Sequence, residues 1–222
     1  MKVMLLAAGR GERMGKLTDD CPKPLLKIAG LSLIEHHILA LKQQGFSEFV
    51  INVAYLGGQI KRALGTGERW GVHIDYSDEG SQALETGGGI FNALPLLGDK
   101  PFLVVNADVW TDFPYASLMP KTDKNIHLVL VKNPEHKLKG DFCLLANDII
   151  QSGGERYTYS GLGVFSPQIF KEENGGVFPL APIIREQIKR QQVAGQLHLG
   201  MWVDVGTPER LTQLRSVLGA NQ

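Results

Sequence analysis

The N-terminal segment most constrains the fold, because it places a short apolar stretch directly before a turn rich in glycine and arginine. Residues 2–6 are mostly apolar, as expected of a strand that is buried on both faces. Gly9 and Gly11 follow, and glycine lets the backbone approach a bulky anion. The planar guanidinium group of Arg13 has N–H donors suited to phosphate oxygens. Lys23 lies between two prolines, which stiffen its segment. The segment predicts a site for the phosphates of a nucleotide, with an ordinary solvated turn as the other interpretation.

Neither of two common phosphate-binding fingerprints fits this turn. The dinucleotide-binding fingerprint needs a third glycine or alanine at position 14, which is Met14, and no Gly-Lys-Ser/Thr follows for a Walker A loop. Backbone amides of such a loop can also form an anion-binding concavity.

Strand and helix patterns alternate through the first half of the chain. Ser32 and Glu35 have the spacing of a capping box, and apolar residues then recur at helical spacing until Gly45. This alternation predicts parallel strands covered by helices. We expect strands at residues 2–6, 48–53, 72–76 and 101–105, and helices starting near residues 33, 58 and 85.

The second half has a different rhythm and predicts a mixed-sheet extension without an independent domain. Its pattern shows no repeat, linker or low-complexity tract. We expect strands at residues 126–131 and 158–165, a hairpin within 142–150, a helix at 180–191, short strand pieces at 197–199 and 202–203, and a closing helix at 207–218.

Composition excludes several classes of protein. Lysine plus arginine and aspartate plus glutamate both number 23, so the net charge is zero and a general nucleic-acid surface is disfavoured. Two cysteines do not make a disulfide framework and favour a reducing compartment. No signal-like segment and no apolar run approaching 18 residues is present. We therefore expect a soluble, cytoplasmic protein.

Two aspartates follow predicted strands. Asp108 comes after the apolar strand of residues 101–105, and Asp204 comes after residues 202–203. Ligands of open α/β sheets bind at the carboxyl ends of strands, and Mg²⁺ is held by one or two carboxylates plus substrate phosphates. The pair predicts a magnesium site, although each aspartate alone is also typical of a turn or a helix cap.

Three consecutive glycines open the predicted third helix, directly after Glu85 and Thr86. Glycine costs a helix about 1 kcal/mol per residue relative to alanine, so the run needs a reason. Tight packing of the helix on the sheet is one interpretation. The other is that a flat ring lies on bare backbone there, within reach of Thr86.

Four motifs occur in one order and span nearly the whole chain: Leu-Ala-Ala-Gly-x-Gly-x-Arg-Met at 6–14, Pro-Lys-Pro-Leu at 22–25, Asn-x-Asp at 106–108 and Trp-x-Asp-x-Gly-Thr-Pro at 202–208. This combination resembles the sugar-1-phosphate nucleotidylyltransferase family. The resemblance implies an α/β, Rossmann-like nucleotide-diphospho-sugar transferase fold, with a mostly parallel central sheet, helices on both faces and a mixed-sheet sugar-binding extension. It implies a single domain, 1–222, with a nucleotide-binding half of about 1–112 and a sugar-binding half of about 113–222.

The resemblance also implies roles for individual residues. Those expected to be catalytic are Arg13, Lys23 and Asp108. Those expected to bind the nucleotide are Leu6, Ala8, Gly9, Gly11, Arg13, Lys23, Glu79, Gly80, Thr86, Gly87 and Asn106. Those expected to face the sugar are Gly140, Asp141, Ser160 and Gly161. Mg²⁺ is the implied cofactor, held by Asp108 and Asp204.

Residues 85–91, 106–112 and 140–142 are similar to the branch of the family that transfers a uridylyl group from UTP to N-acetylmuramic acid α-1-phosphate, which gives UDP-N-acetylmuramic acid and pyrophosphate in cell-wall recycling. Guanylyl transfer to mannose 1-phosphate, or transfer to another hexose 1-phosphate, is the alternative. A non-catalytic nucleotide sensor is a third hypothesis, which the retention of Lys23 and both aspartates disfavours. The implied partners are UTP and a sugar 1-phosphate, not nucleic acid or a membrane, and the implied assembly is a monomer or small homo-oligomer.

Two details of this branch stay open. A muramyl sugar carries a lactyl carboxylate, so a cation should face it; Lys132, Lys137 and Lys139 are candidates, unless they form only a solvated basic loop. The family often has Arg-Pro where this chain has Gly15-Lys16, and glycine where it has Ala107.

Overall fold

A computed structural model describes residues 1–118, 123–150 and 152–219. The strands in these ranges are β1 (Val3–Leu6), β2 (Lys27–Ile28), β3 (Leu31–Ser32), β4 (Glu48–Val53), β5 (His73–Asp78), β6 (Phe102–Asn106), β7 (Val109–Thr111), β8 (Ile126–Val131), β9 (Phe142–Leu145), β10 (Asp148–Ile150), β11 (Glu155–Phe165), β12 (Val193–His198) and β13 (Trp202–Asp204). The α-helices are α1 (Leu33–Gln43), α2 (Gly57–Leu64), α3 (Glu85–Leu97), α4 (Ala181–Lys189) and α5 (Pro208–Gly219). None of the helices in these ranges is long and apolar enough to cross a membrane.

One sheet, in the order β5-β4-β1-β6-β11-β8-β12-β10-β9, includes strands from both halves of the chain. Strands β5, β4, β1 and β6 are parallel, as the alternating pattern predicts. Leu5 pairs with Ile51 on one side and Val105 on the other, and it is fully buried, which explains the continuous apolar run of β1.

The other half of the sheet is mixed, as expected. Strand β11 is antiparallel to β6 and β8, whereas β12 is parallel to β8. Strand β12 begins at Val193, four residues earlier than the expected strand piece at 197–199. The Val-Ala-Gly-Gln segment has weak strand propensity of its own, and its pairing with the buried strand β8 imposes the extended conformation.

Helices pack on both faces of the sheet. On one face Ile34 and Ile38 of α1 and Ile60 of α2 pack against β1 and β4. On the other, Ile90 of α3 and Ile184 of α4 lie in a second apolar cluster. The predicted α/β fold with covered faces is therefore confirmed. The capping box is present too: the Glu35 carboxylate accepts a bond from the backbone N–H of Ser32 at 2.8 Å.

A separate two-stranded ribbon, β7 paired antiparallel with β13, lies beside the main sheet. Asp204 is opposite Val109, and the backbone N–H of Val205 donates to the carbonyl of Asp108 at 2.8 Å. The sequence pattern did not indicate β7. The ribbon brings together two aspartates from different halves of the chain.

Candidate active site

A cleft of about 840 Å³ opens at the carboxyl ends of β1 and β6. Three segments line it together: the turn of residues 9–13, called here the Gly/Arg turn, the Pro-Lys-Pro segment of residues 22–24, and the start of α3. The lining residues are Leu6, Ala7, Ala8, Gly9, Arg10, Gly11, Glu12, Arg13, Lys23, Pro24, Asn52, Ala83, Glu85, Thr86, Asn106, Asp108 and Gly206. Most of the residues expected to bind the nucleotide therefore lie around one cavity.

The Gly/Arg turn has a fixed shape that the sequence did not reveal. Gly11 has φ of 72°, in the left-handed region that favours glycine, and a 3-10 helical segment, Glu12–Thr18, follows it. The Thr18 hydroxyl donates to the carbonyl of Gly11 at 3.0 Å. Met14 is 1% exposed and packs with Leu211 of α5. These contacts hold the turn so that Arg13 lines the cleft.

Lys23 and Asp108 form an ion pair, with Nζ and Oδ2 2.6 Å apart. The Lys23 side chain is 7% exposed and that of Asp108 is 38% exposed, so the ammonium is buried while the carboxylate faces the cleft. A charge held in such a place acts more strongly on a bound anion than one in bulk water. Two of the residues expected to be catalytic are therefore in direct contact.

Asp204 lies on the ribbon near Asp108 and has basic partners of its own. Its Oδ1 accepts a bond from Arg210 of α5 and lies 3.2 Å from Nε2 of His136. A Cβ placed on Gly206 would lie 3.2 Å from Nη2 of Arg13 and 2.5 Å from Nη2 of Arg210, so the two guanidinium groups flank the same glycine. The aspartates that we expected to bind a metal are thus neighbours, surrounded by cations.

A second cavity of about 400 Å³ adjoins the first and shares Arg13, Thr86, Asn106 and Asp108 with it. Its other lining residues are Val109, His136, Lys137, Asp141, Phe142, Thr158, Tyr159, Ser160, Gly161, Pro179, Leu180, Ala181, Ile184, Arg185, Trp202 and Asp204. Three of the four residues expected to face the sugar line it. The fourth, Gly140, does not; it occupies a tight turn at φ of 59°.

The Asp141 carboxylate in this second cavity has two partners. It accepts bonds from Lys137 Nζ at 2.7 Å and from the backbone N–H of Tyr159 at 2.9 Å. Of the three lysines expected to face the sugar, Lys137 lines the cavity and Lys132 and Lys139 do not. Arg185 does line it, although no sequence pattern indicated this.

Three residues expected to bind the nucleotide, Glu79, Gly80 and Gly87, do not line the cleft. Glu79 lies behind it, where its carboxylate accepts bonds from Asn52 Nδ2 at 2.6 Å and from the backbone N–H of Leu84 at 2.7 Å. The Asn52 side chain in turn accepts a bond from the backbone N–H of Ala7 at 2.7 Å. Glu79 and Asn52 therefore connect the two loops that border the cleft, and Asn52 was not foreseen from the sequence.

The three glycines of α3 are buried and tightly packed. A Cβ on Gly87 would lie 2.6 Å from the Phe178 ring, and one on Gly88 would lie 2.1 Å from the carbonyl oxygen of Gly176. One on Gly89 would lie 2.5 Å from Oε1 of Glu79. Close approach of the helix to its neighbours explains the run, and Thr86 is the residue of this segment that faces both cavities.

His37 of α1 is buried and contacts the β7–β13 ribbon. Its Nε2 lies 2.6 Å from the carbonyl oxygen of Val109, and its Nδ1 lies 2.9 Å from the Tyr115 hydroxyl. A carbonyl can only accept, so Nε2 carries the hydrogen and Nδ1 accepts from Tyr115. Burial lowers the pKa of His37 to about 4, because it disfavours the charged imidazolium.

The sequence matches the family described as Nucleotidyl transferase over residues 2–148. It is 50% identical over 230 residues to the N-acetylmuramate alpha-1-phosphate uridylyltransferase of Neisseria meningitidis serogroup B, with 99% of each chain covered. It is 34% identical over 223 residues to the protein of the same name from Caulobacter vibrioides, with 93% of this chain and 92% of the relative covered.

The solved structure of HddC from Yersinia pseudotuberculosis complexed with GMP-PN has a TM-score of 0.80 to this protein at 19% sequence identity, covering 98% of this chain and 99% of that one. At that identity the likeness shows the fold alone. The match to the family and the two relatives confirm the resemblance drawn from the motifs: the chain belongs to the nucleotidyl transferase family and is a nucleotidyltransferase.

Proposed function

We propose that this enzyme transfers a uridylyl group from UTP to N-acetylmuramic acid α-1-phosphate, giving UDP-N-acetylmuramic acid and pyrophosphate. The observation that carries the proposal is the junction of the two cavities, since Arg13, Thr86, Asn106 and Asp108 line both. Two substrates that occupy adjoining cavities meet where those cavities join. The choice of nucleotide and sugar follows the names of the two relatives, both of which are N-acetylmuramate alpha-1-phosphate uridylyltransferases.

The reaction needs no general base, because a sugar 1-phosphate is already an anionic nucleophile at neutral pH. One of its phosphate oxygens attacks the α-phosphorus of UTP, and a new P–O bond forms there. The bond from the α-phosphorus to the bridging oxygen of the β-phosphate breaks, and pyrophosphate leaves with the electron pair. The task of the protein is to bring two anions together in line and to stabilise the charge at the α-phosphorus.

Arg13 and Lys23 are the cations placed for this task. Arg13 lies at the junction, exposed and able to offer its guanidinium fork to phosphate oxygens. Lys23 is buried beside Asp108, so its ammonium already has a fixed position when substrates bind. Charges that are oriented in advance require no reorganisation during the reaction, which is the main source of electrostatic catalysis.

Asp108 and Asp204 fit a magnesium ion, and we propose them as its protein ligands. Their carboxylates are hard oxygen donors, Asp204 is opposite the residue that follows Asp108, and both aspartates line the second cavity. When bound, the ion would neutralise phosphate charge and help to align the reacting groups. Lys23 and Arg210 now partner these carboxylates and would keep them oriented toward the cavity.

We further infer that residues 1–222 act as one domain in a reducing compartment such as the cytoplasm. Strands of both halves share one sheet, and residues of both halves line the second cavity. Cys21 and Cys143 are both in the thiol form.

Pyrophosphate release tests the substrate assignment directly. The purified enzyme is incubated with Mg²⁺ and every pairing of UTP or GTP with N-acetylmuramic acid 1-phosphate, N-acetylglucosamine 1-phosphate or mannose 1-phosphate. We expect the highest kcat/KM for UTP with the muramyl substrate. Equal or faster turnover of GTP with mannose 1-phosphate would refute the assignment while leaving nucleotidyl transfer intact.

A further inference from the structure

The second cavity contains one cation, Arg185, that lies outside the proposed phosphate site. Four basic residues line it: Arg13, His136, Lys137 and Arg185. His136 is held against Asp204, and Lys137 forms an ion pair with Asp141 at 2.7 Å. Among the residues that the structure describes, Arg13 and Arg185 are the two lining cations without a hydrogen-bond or ion-pair partner.

These two arginines differ in position. Arg13 lines both cavities and so lies where the phosphates meet. Arg185 lines the second cavity and not the nucleotide cleft, so it is not one of the residues of the junction. An unpaired guanidinium in such a place is suited to a second anionic group on the acceptor, away from its phosphate.

Helix α4 presents Arg185 within an apolar wall. Ala181, Ile184 and Arg185 are spaced i, i+3 and i+4, so they share one face of the helix, and all three line the cavity. Pro179 and Leu180 extend this wall just before the helix. The wall therefore places methyl and methylene groups beside the N–H donors of one guanidinium group, that of Arg185.

The other charged residues near the end of α4 form ion pairs with one another. Glu186 accepts bonds from Lys189 and from Arg190, each at 3.2 Å, and none of these three residues lines the second cavity. The positive charge of Arg185 is thus not compensated within its own helix.

We infer that Arg185 is the receptor for a carboxylate carried on the acceptor sugar, and that the apolar wall of α4 receives the small alkyl group beside it. This inference rests on the proposed function, because the lactyl ether of N-acetylmuramic acid has one carboxylate next to one methyl group. Arg185 is then a residue that determines specificity: it distinguishes a muramyl acceptor from the same sugar without the lactyl group. It replaces the three lysines as the expected cation of the sugar site.

The experiment compares three acceptors with UTP in the wild-type enzyme and in Arg185→Ala. The acceptors are N-acetylmuramic acid 1-phosphate, its lactyl-amide analogue and N-acetylglucosamine 1-phosphate. We expect Arg185→Ala to lower kcat/KM for the muramyl acceptor by about 10- to 100-fold, the usual worth of a hydrogen-bonded charge pair. The values for the amide and for N-acetylglucosamine 1-phosphate, and the KM for UTP, should stay near those of the wild type.

Two further variants make the result specific. Arg190→Ala removes a guanidinium from the end of the same helix outside the cavity, and it should behave like the wild type with every acceptor. Arg185→Lys keeps the charge without the fork and should recover part of the preference for the carboxylate. An equal loss on all acceptors in Arg185→Ala would mean that the residue is structural, and an unchanged preference would mean that the carboxylate binds elsewhere; either result overturns the inference.

The wild-type enzyme alone separates this inference from the proposed function. If its kcat/KM for N-acetylglucosamine 1-phosphate equals that for the muramyl acceptor, the proposed substrate is wrong and the inference fails with it. If it prefers the muramyl acceptor and Arg185→Ala keeps that preference, only the inference fails.

Discussion

Lowering the pH from 7 to 5 should destabilise this protein through a single buried imidazole, that of His37. The residue is 3% exposed, and both of its ring nitrogens have partners in the neutral form. Protonation of Nδ1 would replace an acceptor by a donor that faces the Tyr115 hydroxyl. Burial raises the pKa of that hydroxyl, so Tyr115 stays neutral and its hydroxyl would have to turn away.

The size of the effect follows from the pKa of His37. The unfolded chain binds a proton at this imidazole below its ordinary pKa of 6.5, whereas the folded protein binds it only below about 4. Between these values the unfolded state holds more protons, so the free energy of unfolding falls as the pH falls. From pH 7 to pH 5 the loss from this one group is about 2 kcal/mol.

Urea unfolding at half-unit steps from pH 7 to pH 5 measures this loss, in the wild type and in His37→Gln. Glutamine does not titrate, so the variant should lose about 2 kcal/mol less over this range, whatever its stability at pH 7. His73→Gln, at an exposed position of β5, gives the slope contributed by a surface histidine. Equal pH dependence in the wild type and in His37→Gln would refute the argument that His37 stays neutral through burial.

Three substitutions, two of them with a matched control variant, test the site and its support. Lys23→Ala should lower kcat by about 10² or more, because it removes a charge aimed at the reacting phosphates; a pyrophosphate assay showing near-normal turnover would exclude that role. Asp204→Asn should abolish turnover at every Mg²⁺ concentration with little loss of stability, measured as the unfolding temperature, whereas Asp112→Asn, at an exposed carboxylate outside both cavities, should remain active. Gly88→Ala should lower the free energy of unfolding by about 1 to 3 kcal/mol, because the new Cβ meets a backbone oxygen. Gly58→Ala, in α2 with its nearest contact at 3.5 Å, should keep or raise stability, and urea unfolding that ranked these two alanine variants the other way would contradict the packing interpretation.

The parallel half of the sheet could be predicted because its central strands, β1 and β6, are buried on both faces. Burial on both faces requires continuous apolar runs, and such runs are visible in β1 and β6 without any tertiary information. The capping box of Ser32 and Glu35 was equally visible, because both of its partners lie within one turn of α1.

The site residues that escaped prediction act through contacts between distant parts of the chain. Asn52 connects Ala7 to Glu79, and nothing in the residues beside Asn52 indicates either partner. Arg185 resembles any exposed arginine of an amphipathic helix until the face of α4 that meets the cavity is known. Strand β7 has only three residues, too few to show an alternating pattern, and its pairing with the distant strand β13 cannot be read from the local sequence.

The β7–β13 ribbon has a consequence for the order in which the enzyme becomes competent during synthesis. The strands β1, β4, β5 and β6, the Gly/Arg turn and Lys23 all leave the ribosome before β13 does. Until then Asp108 has no second carboxylate beside it, and Met14 under the turn lacks Leu211 as its packing partner. A nascent or prematurely ended chain can therefore contain most of the nucleotide cleft and still be unable to react. Strand β13 and helix α5 complete both the proposed metal site and the packing under the Gly/Arg turn, so we expect activity to begin only after both have been synthesised.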